Sequence, residues 1–207
     1  MSVFHSKTLS YRMHCAVIGV LILAGCSSPN FVSAPPATYA APLPVAINGT
    51  WGNEVENGQR IRLSGQMDGT LELYFSQTEP SAEHLPAEPF LAKTLHFADA
   101  DWLLLDWRKL ALWLGEKPDA ERPPYVLLKF ALEKPDRLCS YEMNTDVFAE
   151  AIESGKLTGT VSPSGLINPY AKNIVVTTLG ADWVKWWTAL PEAKKTYGST
   201  WCFVRVK

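Results

Sequence analysis

Apolar and polar residues alternate through 59–65, where Ile61 and Leu63 share one face and Arg60, Arg62 and Ser64 the other. The alternation returns in 70–76, with Leu71, Leu73 and Phe75 opposite Glu72 and Tyr74. A period of two places successive side chains on opposite faces of a strand, so each segment turns one face to a core. Met67-Asp68-Gly69 joins the two, and glycine accepts the positive φ that tight turns need. A second hairpin reads as 125–132 and 137–143, turned at Lys134-Pro135-Asp136. A third pair, 91–97 and 102–107, is joined by Asp99-Ala100-Asp101, and further strands are expected at 156–161, 173–178 and 201–206. In 109–114 the run is too short for its period to separate a helical turn from a strand.

The period changes to 3.6 in two places. Asn144 or Thr145 can cap a helix that runs to about Ser154 and stops at Gly155, with Val147, Phe148, Ala151 and Ile152 on one face. A second helix is expected from Ala181 to Leu190, ended by Pro191. Along it Trp183, Trp186, Trp187 and Leu190 fall at i, i+3, i+4 and i+7, one continuous face. Two readings of that face stay open: it caps the barrel, with Trp at its rim, or it presents a ligand gate or partner surface. Many short strands at close intervals predict a mainly β fold, an antiparallel meander closing into a barrel, with two short helices added.

The N-terminus follows other rules. Residues 1–25 carry Lys7 and Arg12 and no acid, followed by an apolar run at 15–23. Nine apolar residues are too few to cross a bilayer, which needs about twenty. Basic stretch, short apolar stretch and small-residue exit are the parts of a secretory signal peptide. The exit, Leu23-Ala24-Gly25-Cys26, resembles the lipobox of bacterial lipoproteins. That resemblance implies recognition of Leu23, Ala24 and Gly25 by a signal peptidase, cleavage after Gly25 and a diacylglyceryl group on the Cys26 sulfur. Ser27 rather than an acid follows, which by the sorting rule of such proteins implies the outer membrane.

Removing residues 1–25 changes the net charge from −2 to −4. No basic run offers a phosphate-binding surface, so nucleic acid is not an expected partner. From 26 to 47 the chain is rich in Ser, Ala and Pro, with Pro29, Pro35, Pro36, Pro42 and Pro44. Such composition predicts a lipidated N-terminus followed by an extended spacer, in which Phe31 and Tyr39 are the two aromatic residues. The folded domain is then expected at 48–207. It holds two cysteines, Cys139 and Cys202, which in an oxidising envelope suggest one disulfide.

Gly49-Thr50-Trp51 stands before the first hairpin, where lipocalin-like barrels carry a Gly-x-Trp whose Trp plugs the barrel floor. The order of elements also resembles a group of bacterial envelope lipoproteins of uncharacterised activity with a lipocalin-like sheet. The shared features are the early Trp51, the meander, the Asp-bearing strand Leu103-Leu104-Leu105-Asp106, and a late helix and strand.

Catalytic chemistry is not assembled by any motif. His84 and His96 lack ligand spacing, and Asp99, Asp101 and Asp106 read as turn residues before they read as a cation site. There is no Gly-x-Ser-x-Gly and no phosphate-cradling loop, so neither cofactor nor metal is expected. The sequence therefore points to a membrane-anchored, non-enzymatic binding or accessory protein, taking an apolar ligand or an envelope protein partner. The alternatives are an envelope hydrolase using Asp and His residues, and a purely structural assembly factor.

Overall fold

The computed structural model describes residues 28–54, 59–77, 86–163, 172–195 and 197–206. The lipobox, Cys26 included, and His84 lie outside those residues.

Eight antiparallel strands close into a barrel in the order β6-β5-β4-β3-β2-β11-β8-β7, with β7 pairing back onto β6. Their ranges are β2 Gly49–Asn53, β3 Gln59–Gly65, β4 Thr70–Gln77, β5 Phe90–Phe97, β6 Ala100–Asp106, β7 Tyr125–Lys134, β8 Arg137–Met143 and β11 Tyr197–Arg205. Closure satisfies the edge hydrogen bonds that an open sheet would leave to solvent. Three further strands extend the sheet beyond β7: β1 Asn30–Phe31, then β10 Lys172–Val176, then β9 Gly159–Pro163. The helices are α1 Trp107–Trp113, α2 Thr145–Glu153 and α3 Gly180–Ala189.

Alternation divides the apolar residues between two cores. Inward-facing Trp51, Leu63, Leu71, Leu73, Phe90, Leu103, Leu105, Val126, Leu128 and Leu138 fill the barrel. Outward-facing Leu95, Phe97, Trp102, Leu127 and Met143 meet Phe31, Phe148, Ile174, Trp183 and Trp187 in a second core outside the wall. Strands β6 and β7 are thus buried on both faces, which explains their near-continuous apolar runs at 102–105 and 126–128.

Both barrel ends are covered. At the end of the β3–β4, β5–β6 and β7–β8 hairpins, Leu43 and Ile47 enter the barrel core. There the Asn48 side chain accepts from Gly65 N at 2.8 Å. At the other end α1 inserts Trp107 and Leu110. Asp106 starts that helix by accepting from the backbone of Arg108 and Lys109. The segment 109–114 is therefore helical for most of its length, and Trp107, expected to end a strand, opens the helix. The β5–β6 turn falls earlier than expected, on Ala98 and Asp99, both with positive φ.

The largest departure from expectation concerns 28–47. Proline content predicts a solvated spacer, yet Ser28, Asn30, Phe31, Leu43 and Ile47 are all buried. Proline excludes helix interiors and sheet ladders but not an extended chain lying in surface grooves. Phe31 stacks on Trp183 with ring centroids 4.4 Å apart, and Tyr39 meets Phe97 at 5.7 Å. Parts of 28–47 therefore pack into the folded domain instead of leaving it as a spacer.

Cys139 and Cys202 face each other across β8 and β11 and form a disulfide, Cα atoms 4.1 Å apart. It joins positions 63 residues apart, and constraining a loop of that size in the unfolded chain is worth about 4 kcal/mol in the chain-entropy view.

Candidate functional site

The tryptophan face of α3 does not cap a barrel end; it packs along the side wall and then divides. Trp183 and Trp187 are fully buried. Trp187 stacks on Phe148 of α2 at 5.4 Å and meets Trp102 of the wall at 6.2 Å. Trp186 and Leu190, on the flank of the same stripe, are only partly buried. They sit where α3 ends at Pro191 and α2 runs alongside.

The two helices leave an open groove of about 470 Å³ between them. Val147 and Ala151 of α2 and Trp186 and Leu190 of α3 supply its apolar lining. Glu150, Glu153, Ser154, Lys156 and Lys194 supply the polar part, two acids against two bases. The helix periodicity placed Val147 and Ala151 on one face; the charged rim comes from separate elements brought together only by folding. Groove volume falls within the range of small-molecule sites, but an open, mixed-charge rim is typical of a surface that receives a protruding side chain.

The other candidates are dispersed. His96 Nδ1 lies 2.8 Å from Asp101 Oδ1 across the β5–β6 hairpin, both groups reaching solvent. Asp99 occupies the turn and Asp106 caps α1 at the opposite barrel end, so the three aspartates do not gather. Among the described residues no group of three or more His, Cys, Asp or Glu is placed to hold a metal ion. Within the same residues no helix is long and apolar enough to cross a membrane.

Electrostatics beside the second core are set by desolvation. Tyr197, in ring contact with Trp102 and Trp187, has its phenol pushed up to about 12, first by burial and then by Glu192. The Lys129 ammonium sits 4.3 Å over the Tyr197 ring. At the far end of the groove-lining helix α2, Asp146 bonds Lys172 at 3.0 Å, which raises the lysine above its ordinary range.

No family model matches this chain, and neither a curated protein nor a solved structure matches it.

Proposed function

We propose that this protein is a lipid-anchored bacterial envelope lipoprotein that acts by binding rather than catalysis, with the α2–α3 groove as its binding site. The observation that carries the reading is the split tryptophan face. Trp183 and Trp187 close the core, while Trp186 and Leu190 remain half-open beside charges of both signs. The barrel interior, by contrast, is occupied by the protein's own side chains and covered at both ends. Binding is therefore assigned to the outer wall rather than the lumen. The occupant favoured by that rim is an envelope protein presenting an apolar side chain flanked by charge, because partly exposed Trp surrounded by polar residues is the usual anchor of such contacts.

A photo-crosslinking amino acid placed at position 194 in the cell envelope, with a control at Met67, tests this. A discrete protein adduct at 194, absent at 67 and lost with Trp186→Ala, supports the reading. A small apolar molecule retained by the purified protein and lost with the same variant replaces the protein partner by a ligand. The absence of both an adduct at 194 and a retained molecule overturns the groove as a binding site.

The runner-up is an envelope hydrolase, and one observation favours it: Asp101 holds the His96 imidazole through Nδ1 while the histidine side chain stays half-exposed. Hydrolysis of envelope material by wild type, abolished in His96→Ala, would establish it.

A further inference from the structure

We infer that the partner of the α2–α3 groove is a second copy of this chain, joined to the first about a twofold axis. The inference rests on the groove being a binding site and names what fills it. The rim carries Glu150 and Glu153 against Lys156 and Lys194, all four exposed. Among the described residues none of the four belongs to an ion pair of its own chain, although their neighbours are paired: Lys172 with Asp146 at 3.0 Å and Lys195 with Glu192 at 3.5 Å. Two acids and two bases together offer no net charge to a partner of one sign. They match instead a surface carrying the same charges in exchanged places. A twofold axis supplies that surface, because an isologous interface sets each residue of a patch against others of the same patch.

The end of α2 suits such an axis. Glu153-Ser154-Gly155-Lys156 reads acid, small, small, base. Gly155 N and Lys156 N donate back to Ile152 O and Ala151 O, which closes the helix and leaves both small residues exposed. A Cβ added at Gly155 would meet nothing within 4 Å, so a second chain can approach closely here. An axis passing between Ser154 and Gly155 exchanges acid and base, placing Glu153 of each copy beside Lys156 of the other. The same operation turns the two grooves toward each other. Residues 191–194 stand exposed at the end of α3 beside the half-open Leu190, an apolar residue flanked by the charge of Lys194. Each copy offers this feature to the groove of the other, with Lys194 directed to Glu150 and Trp186 covered between them. A patch of this size falls at the low end of specific interfaces, below about 1,200 Å² of buried surface, so the pair is a transient one.

The test uses the full-length protein in its own cell envelope. A cysteine replaces Ser154 (Ser154→Cys) or, as a control, Met67, which is 87% exposed at a barrel end. A short bismaleimide then reads proximity between copies, and Cys139 and Cys202, being paired, do not react. A species of twice the chain mass is expected from position 154 and not from 67. Adding Glu153→Lys or Lys156→Glu should lower its yield about tenfold, since the axis counts each lost pair twice. Glu153→Lys and Lys156→Glu together should restore it, because the exchanged charges meet again across the axis, whereas a folding defect would only deepen. A linked species no more abundant from 154 than from 67, or a double exchange that stays unlinked, overturns the second copy as partner. The photo-crosslinker at 194 judges the groove separately. An adduct there with a different protein keeps the groove and overturns the twofold pair; no adduct and no retained molecule overturns both.

Discussion

The Arg205 guanidinium lies flat against the indole of Trp51, its central carbon 4.2 Å from the ring centroid, and so ties the last barrel strand to the first. Its nitrogens also donate to the backbone oxygens of Asn48 and Ala46, and the Trp51 indole donates to Ile47 O at 2.8 Å. One side chain therefore fastens the segment that covers this end of the barrel. A partly exposed cation–π contact contributes about 1 kcal/mol, and each hydrogen bond from the half-exposed guanidinium about 1 kcal/mol more. Arg205→Ala is expected to lower unfolding stability by about 3 kcal/mol in urea titration. Arg205→Lys should recover little, because an ammonium cannot stack on the ring and reach two carbonyls together. Full recovery by lysine would mean that charge alone matters here.

How much of this was legible in the chain depends on how many faces of each element are buried. The β3–β4 hairpin was readable because Arg60, Arg62, Glu72 and Tyr74 mark an outer face away from the core, leaving a clean alternation. In strand β6, Trp102 and Leu104 face an outer core while Leu103 and Leu105 face the barrel, so alternation vanishes and its end before Trp107 carries no signal. Strand β2 leaves no strand signature around Trp51, since Gly49 and Gly52 break the apolar pattern. The folded N-terminal segment was hidden by its prolines. Its signal was Phe31, Leu43 and Ile47, three large apolar residues in a stretch that a true spacer would keep polar. Of the site, the face bearing Trp186 and Leu190 was visible; the rim of Glu150, Lys156 and Lys194 was not, because proximity between elements leaves no periodic trace.

The division of the tryptophan face separates stability from binding. Trp187→Ala removes a fully buried ring between Phe148 and Trp102, and large-to-small changes of that kind cost about 3–5 kcal/mol. Trp186→Ala, at the open flank, should cost about 1 kcal/mol and leave the fold intact while binding at the groove is lost. Thermal unfolding of both variants decides the matter. A Trp186→Ala protein as unstable as Trp187→Ala would return the whole face to the core.

Alkaline pH should weaken the fold through Tyr197. Burial raises its folded-state value to about 12, whereas an exposed tyrosine ionises near 10. Between those values the folded chain holds a proton that the unfolded chain has released, so stability falls as pH rises. Tyr141, also pushed to about 12 by burial and by its bond to Glu133, acts in the same direction. Denaturant midpoints measured from pH 9 upward should decline for wild type and decline less for Tyr197→Phe. Identical slopes would show that the phenol is not held out of water.

Gly180 offers the most direct probe of how the N-terminal segment is held. A Cβ built there would lie 1.9 Å from Ala34 O and 3.1 Å from the Pro35 Cα, so backbone rather than a yielding side chain stands in the way. Helix propensity alone would make Gly180→Ala favourable by about 1 kcal/mol, since alanine suits a helix better than glycine. Overpacking against backbone costs about 1–3 kcal/mol and should prevail. The variant is expected to be less stable than wild type, with the Gly180 N to Ser33 Oγ bond broken and 33–35 displaced, which faster amide exchange in that segment would report. Gains in stability with unchanged exchange would show that the segment yields freely, and a chain that yields at Ala34 could not hold Phe31 so firmly against Trp183.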